Sequence, residues 1–451
     1  MSTHSDVFIY VSPTGKDWNH GTQAMPVQTL GKALSLVPLG YYEKCRVILA
    51  PGIYTEANPI NCYLPKPAGP DAIDFAIVGA MSNVLTTTDR ICTASDTTKL
   101  TYTDATLPPQ PINAFVGATL YCVSGVNKDA TRTIVSNTAN AFTINKPWTN
   151  APALGDVFQV QRPAVTINHV GISFWGPGPF VRLQHIKFTY TGTDPAKGFG
   201  AAFLVKLAAE SVEMDLRGGT FALFHYCGIN PGSEFATIFP ASSFSPSREA
   251  DWYIHNGTMS LANRCQVPNT NNLVTKNLSI ACADSCTLAP GSIFGNQTDI
   301  SLTTCSSFNH TGSVNHRSLL DGSNVNPTTG ANPFIIKADK NSIVGGGNAG
   351  IQHIALVNSG RDAILLQGNS HGYIGDVTGT NPNNGGVGIR CTNMSTARIN
   401  QGGPGVLTTV TGAVPGVNDV VVGGTPRHYG AGPTTGGLPF TETDTLCRIE
   451  M

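Results

Sequence analysis

The last third of the chain repeats itself at the length of one turn of a solenoid. Short apolar runs at Ile351–Val357, Ala363–Leu366, Tyr373–Val377, Val387–Arg390 and Ala397–Ile399 are separated by turns rich in Gly and Asn. Leu365 and Ile389, like Tyr373 and Ala397, lie about 24 residues apart, within the range of a β-helix coil. A chain that revisits the same sheet at this interval stacks parallel strands about 4.8 Å apart, apolar side chains inward and turns outward. Composition agrees: 49 Gly and 30 Pro make turns dense and long helices scarce. Only 12% of residues are charged, against a usual share of about 25%.

The N-terminal end supplies what a parallel solenoid needs at its edge. The extended run Val7–Val11 closes on the turn Ser12-Pro13-Thr14-Gly15, and a polar loop follows. Leu30, Leu34 and Val37 then recur at helical spacing, with Thr29 as N-cap and Pro38 as stop. A strand at Val47-Ile48-Leu49 and the turn Ala50-Pro51-Gly52 lead into Ile53-Tyr54. The line YVSPTGKDWNHGT…PVQTLGKAL…VILAPGIYTE resembles the entry motif of right-handed parallel β-helix proteins of the pectin-lyase-like superfamily. The resemblance covers about the first eighth of the chain and implies a helix, Thr29–Val37, that caps the open core. It carries no catalytic residue.

The expected fold class is therefore all-β: a single-stranded right-handed parallel β-helix with an N-terminal capping helix and a small inserted β module. Residues 1–91 are read as cap and first coils. Residues 92–162 are read as the insertion, because Ala118–Val123, Thr131–Val135, Ala141–Ile144 and Asp156–Val160 are short strands joined by tight polar turns such as Ser136-Asn137. Coils resume over 163–401, with a loop excursion near 223–270, and 402–451 is read as a last coil and an extended tail.

Charge is balanced, 27 basic against 28 acidic residues, and no basic run stands out, which argues against nucleic acid or an anionic membrane surface. No apolar run approaches the ~20 residues that span a bilayer. The start MSTHSDVFIY lacks the basic and apolar regions of a secretory signal, and the 11 Cys have no scaffold spacing. Synthesis in the cytoplasm with reduced thiols, and a final place in a virion or released particle, are the expectations.

Three groups of residues invite chemistry. Glu213, Asp215 and Arg217 alternate on one strand face, expected to point to solvent, with Met214 and Leu216 opposite. His353, Arg361, Asp362, His371, Asp376 and Arg390 fall in the regular coils, where stacking brings base, acid and cation together; these are the catalytic candidates. Asp251, Trp252, Tyr253 and His255, in the excursion with Arg248 and Glu249, combine rings and polar groups suited to a pyranose and are the glycan-binding candidates. Cys282, Cys286, Cys305 and His310 lack a second ligand pair for zinc and read as core thiols, so no metal site is expected. Dense Asp clusters and the Arg-x-Pro-x-x-Arg pattern of many pectate lyases are missing from the sequence.

Two functions stand beside each other. The favoured one is a structural or receptor-binding β-helix of a phage-tail-like particle that holds a surface glycan, contacts other particle proteins and uses no cofactor. The resemblance permits a homotrimer. The alternative is a polysaccharide lyase or glycoside hydrolase, since members of the superfamily cleave acidic polysaccharides or hydrolyse glycosides. A lyase brings in Ca²⁺ or a basic residue to neutralise the uronate, so Ca²⁺ enters only there.

Overall fold

A computed structural model describes residues 6–38, 44–64, 74–85, 90–95, 101–106, 108–144, 147–177, 180–229, 252–267, 272–288, 292–308, 318–321, 334–345, 354–357, 362–374, 377–380, 389–391, 395–399, 409–411, 420–422, 440–442 and 448–450, some of these strands by backbone alone. The protein is an all-β parallel β-helix. It divides into two compact units, Met1–Ala222 with Tyr226–His255 and Thr270–Val274, and Leu223–His225 with Asn256–Asn269 and Thr275–Met451.

In the first unit each coil contributes a strand to each of three faces. The first face runs Val7–Val11, Lys44–Leu49, Asp74–Val78, Phe180–Gln184, Lys206–Glu210, all parallel and in register. The second runs Gly52–Glu56, Val165–His169, Ile186–Tyr190, Val212–Asp215 and on to the start of Trp252–Ala262. The third contains Ile60–Tyr63, Ile172–Trp175 and Gly198–Ala202. Period-2 alternation turns one set of side chains inward on every face. Val47, Ile77, Leu183 and Ala209 form one buried column, and Tyr54, Ile167, Phe188 and Met214 another. Burying each large aliphatic member contributes roughly 1.5–3 kcal/mol.

The open end of this core is closed by the helix Leu30–Ser35, whose Leu30, Ala33 and Leu34 are buried. Thr29 is its N-cap, as its sequence position predicts, and the hydroxyl accepts from Lys32 N at 3.1 Å. Tyr54 anchors the first strand to the coil by donating its hydroxyl to Ala50 O (2.7 Å) and lying 3.2 Å from Val11 O.

The chain leaves the second coil after Gly79 and returns at Ala164, whose N–H donates to Ala80 O at 2.6 Å. Between these points lies an antiparallel sheet in the order Met81–Asn83, Val157–Pro163, Thr119–Cys122, Thr131–Asn137, Ala141–Ile144, Thr101–Thr103, Ala94–Ser95. Its strands begin at Met81, ahead of the expected Cys92. Ser136 and Asn137, expected in a turn, instead prolong a strand through a bulge. The sheet has its own core of Tyr102, Leu120, Ile134, Phe142, Trp148, Phe158 and Val160. Tyr102 and Phe158 ring centroids are 4.4 Å apart.

In the second unit Gln266–Val267, Thr287–Leu288, Ser307–Phe308, Ile343–Val344, His371–Ile374, Thr396–Ile399 and Arg448–Glu450 stack in parallel. Ser292–Leu302, Phe334–Ala338, Asp362–Leu366, Ile389–Cys391, Val420–Val422 and Phe440–Glu442 make a second stack. The last strands of each stack lie in the expected tail. The coil spacing is one residue longer than the sequence reading: Ile364, not Leu365, pairs with Ile389, and Tyr373 pairs with Arg398 rather than Ala397. A one-residue slip exchanges the two faces of a strand, so inward pattern sets the register. Ile364 and Leu366 are fully buried.

The stretch from 223 to 270, expected as an excursion, contains strands at Thr220–Phe224, Gly228–Ile229, Trp252–Ala262 and Gln266–Val267. Residues 230–251 and 268–270 of this stretch lie outside the described residues.

Candidate functional site

A cavity of about 640 Å³ opens beside the capping helix, walled by that helix and by the stretch Thr55–Tyr63 of the first coil. Two carboxylates build its frame. Asp17 reaches back across the loop and accepts from Gln28 N (2.8 Å), Thr29 N (2.9 Å) and the Thr29 hydroxyl (2.8 Å). Glu56, buried at the end of its strand, accepts from Leu30 N (2.6 Å) and Gly31 N (3.2 Å). These bonds satisfy main-chain donors that a helix start leaves without partners. Burial pushes the Glu56 carboxyl up, and the bonds from Leu30 and Gly31 oppose that rise.

Three side chains on the cavity wall are not consumed by the fold. Lys32, Asn58 and Asn61 line it, and among the described residues Lys32 Nζ has no ion-pair partner and neither asparagine amide has a hydrogen bond. Each offers donors to a ligand; the amides also offer acceptors. At the lip stands Tyr63, 43% exposed, in T-shaped contact with Trp175, 41% exposed, at a centroid distance of 4.6 Å. Large aromatic rings half open to solvent, held together on a rigid sheet, make a platform for an apolar ring face.

The strand register explains how the platform is held. Tyr63, Trp175 and Ala202 form one outward column of the third face, and Asn61, Ser173 and Gly200 the next. On the third coil the residues beside them are small, Gly200 and Ala202. Leu64 N donates to Trp175 O at 2.9 Å. Gly176, at φ +153°, runs so close to the Leu64 carbonyl that a Cβ would collide with that oxygen. The platform is thus part of the coil backbone rather than of a loop.

A second constellation lies where the antiparallel module meets the second face. Lys187, Glu213 and Tyr253 share one register column, Thr189, Asp215 and His255 the next. Glu213 accepts from Lys187 Nζ at 2.7 Å, lies 3.2 Å from His255 Nε2 and 3.7 Å from an Arg162 terminal nitrogen. His255 Nδ1 is 3.9 Å from Asp215, and its ring stacks on Tyr253 at 4.5 Å. Arg162 also donates to Ala114 O and Val116 O, and Tyr253 packs against Gly117. Burial alone raises an acid's pKa, but here the His255 bond and the Arg162 and Lys187 charges outweigh it and hold Glu213 at about 2. The expectation that Glu213 faces solvent is corrected: it is 4% exposed, because the module folds back over it, while Arg217 stays exposed. Its charges are spent on one another, which suits an interlock.

The sequence-derived site residues are distributed as follows. His353, Arg361, Asp376 and Asp251 lie outside the described residues. Asp362 and Arg390 are described by backbone only, on Asp362–Leu366 and Ile389–Cys391. His371 opens the strand His371–Ile374 and pairs with Ile343 and Thr396. Trp252 is fully buried against Phe221, Tyr253 is 5% exposed and His255 is 8% exposed. None of these three rings presents an open face; inward and interfacial positions claimed them. Cys282 and Cys286 are buried, as core thiols should be, whereas Cys305 is exposed. Tyr63 and Trp175 were missed by the sequence reading. Their signal was aromatic residues at the outward phase of strands, Asn61/Tyr63 and Ser173/Trp175.

No family model matches the chain, and no curated protein matches it. Among solved structures it is similar to a glycoside hydrolase, at 11% identity over 98% of this chain and 96% of that one, TM-score 0.25. It is also similar to the tailspike of Acinetobacter baumannii bacteriophage AP22 in complex with capsular saccharide, at 10% identity over 94% and 74%, TM-score 0.23. A tailspike of Pseudomonas phage LKA1 gives 12% identity over 90% and 69%, TM-score 0.26. Such distant likeness assigns no residue of this chain a role.

Proposed function

We propose that the chain is a glycan-binding parallel β-helix of the pectin-lyase-like type, serving a phage-tail-like or other released particle, with the cavity at the capping helix as its binding site. One observation carries the reading: unengaged Lys32, Asn58 and Asn61 line a cavity together with Tyr63, whose ring is in contact with the exposed Trp175 beside it. The polar groups fix the hydroxyls of a sugar, and the rings take its apolar face, the usual division of labour in a small-ligand site. Binding of this kind requires no cofactor; Ca²⁺ belongs only to a lyase. Attachment to other particle proteins and assembly as a homotrimer accompany the reading.

The test is co-sedimentation of the purified protein with insoluble polysaccharides and with encapsulated cells, alongside assays for new reducing ends and unsaturated uronates. Retention on a glycan, lost in Trp175→Ala and unaccompanied by product, is the expected result. Product formation that disappears in His371→Ala moves the assignment to the lyase or hydrolase. Retention that is indifferent to Trp175→Ala places the glycan elsewhere and overturns this site.

A further inference from the structure

We infer that the cavity at the capping helix selects neutral sugars and rejects uronates, an inference that rests on the glycan-binding reading of that same site. It runs against the acidic polysaccharides that are one of the two substrate classes the superfamily resemblance implies.

The charges on the cavity wall decide the matter. Among the described residues, Asp17, Lys32 and Glu56 are the charged side chains that line it, two carboxylates to one ammonium. Neither carboxylate is free to leave. Asp17 is fixed by three donors across both of its oxygens, and Glu56 by two main-chain N–H groups of the capping helix. Moving either one unpins the helix that closes the core.

Hydrogen-bond chemistry points the same way. An ionised carboxylate accepts only, so Asp17 and Glu56 have lone pairs for hydroxyl donors and nothing for an incoming carboxylate. A neutral pyranose brings hydroxyls that both donate and accept. They match the carboxylate oxygens on one side and the Lys32, Asn58 and Asn61 donors on the other. A uronate substitutes an acceptor-only anion at one position, and a single Lys32 ammonium does not offset two like charges in a partly desolvated cleft.

The experiment is calorimetric titration, at pH 7 and in low and high salt, of matched pairs of oligosaccharides. The pairs are glucose, mannose and galactose oligomers, each with its C6-oxidised uronate counterpart. The expected result is that, in every pair that binds, the neutral member binds at least tenfold tighter, that the gap narrows with salt, and that Glu56→Gln reduces it below about threefold. Circular dichroism checks that this variant, whose single amide oxygen accepts from only one of Leu30 N and Gly31 N, stays folded. A uronate that binds as tightly as its neutral partner, in a manner lost with Trp175→Ala, overturns the selectivity and leaves the glycan site standing. Absence of binding across all pairs, or binding unaffected by Trp175→Ala, removes the glycan reading and the selectivity together.

Discussion

The same sharp turn is built in two chemically different ways in the two units. In the second unit pairs of residues in the left-handed region precede the strands Gln266–Val267, Thr287–Leu288, Ser307–Phe308 and Ile343–Val344, at Asn263-Arg264, Asp284-Ser285, Thr304-Cys305 and Lys340-Asn341. These are mostly polar residues, several of the Asn and Asp type that tolerate the conformation. Before the first unit's strand Lys206–Glu210 the equivalent turn is Phe203-Leu204, at φ +62° and +66°, with both side chains about half exposed, and before Gly228–Ile229 it is His225-Tyr226. Bulky apolar residues cost of order 1–2 kcal/mol each in that conformation, and about half of each side chain stays in solvent. The comparison teaches that the second unit is a regular stack with its turns tuned for stability, whereas the first accepts cost at its surface. The first unit also carries the exposed Tyr63–Trp175 platform, the cavity and the buried charge cluster.

The largest expected effect separates the units by charge. Glu213→Ala strands Lys187 and Arg162 beneath the module and is expected to cost about 3–5 kcal/mol, read as a lower midpoint in urea. In the second unit, Asn341→Ala, which breaks an exposed bond from Asn369 at 2.8 Å and puts an alanine at φ +61°, is expected to cost only about 1–2 kcal/mol. Equal effects would erase the distinction.

Next comes pH. His169, 1% exposed beneath Glu56 in the register and beside Phe188 and Tyr190, is lowered by burial from 6.5 to about 4. Between those values the unfolded chain binds the extra proton, so stability is full above pH 6.5 and falls as pH drops toward 4. The loss is about 3 kcal/mol. His169→Phe should flatten the wild-type slope of urea midpoint against pH in that window; an unchanged slope contradicts the assignment.

The smallest effect concerns the turns. Leu204→Asn is expected to stabilise the protein by roughly 1 kcal/mol, seen as a rise in Tm, and to leave glycan retention intact. A fall in Tm would mean that the exposed apolar turn is covered in the assembled protein.

Much of the fold was legible because it obeys short-range rules. The capping helix announces itself through Thr29, Leu30, Leu34 and Pro38, and the module through closely spaced alternating strands. Register was less legible: a 24-residue reading put Leu365 over Ile389, since an apolar run such as Ala363–Leu366 does not itself say which parity faces in. A regular ladder also passed unread. Each left-handed pair is followed by a small buried residue, Cys265, Cys286, Ser306 and Ser342, and the column continues at Ser370 and Ser395. Its members bond along the stack, as in Ser342 N to Ser370 Oγ at 3.2 Å and Ser370 N to Ser395 Oγ at 3.0 Å. That ladder gives two cysteines, Cys265 and Cys286, their places in the core. The site was least legible. Trp252 and Tyr253 look like sugar-binding rings in sequence, and only packing shows them buried. Tyr63 and Trp175 are more than a hundred residues apart and meet because an inserted module separates adjacent coils.

The most direct test of the binding site is a crystal soaked with a neutral oligosaccharide that the protein retains. The account predicts a sugar ring in the electron density over Tyr63 and Trp175, with hydroxyls reaching Lys32, Asn58 and Asn61. Density for the sugar in the second unit, with the cavity at the capping helix empty, would contradict it.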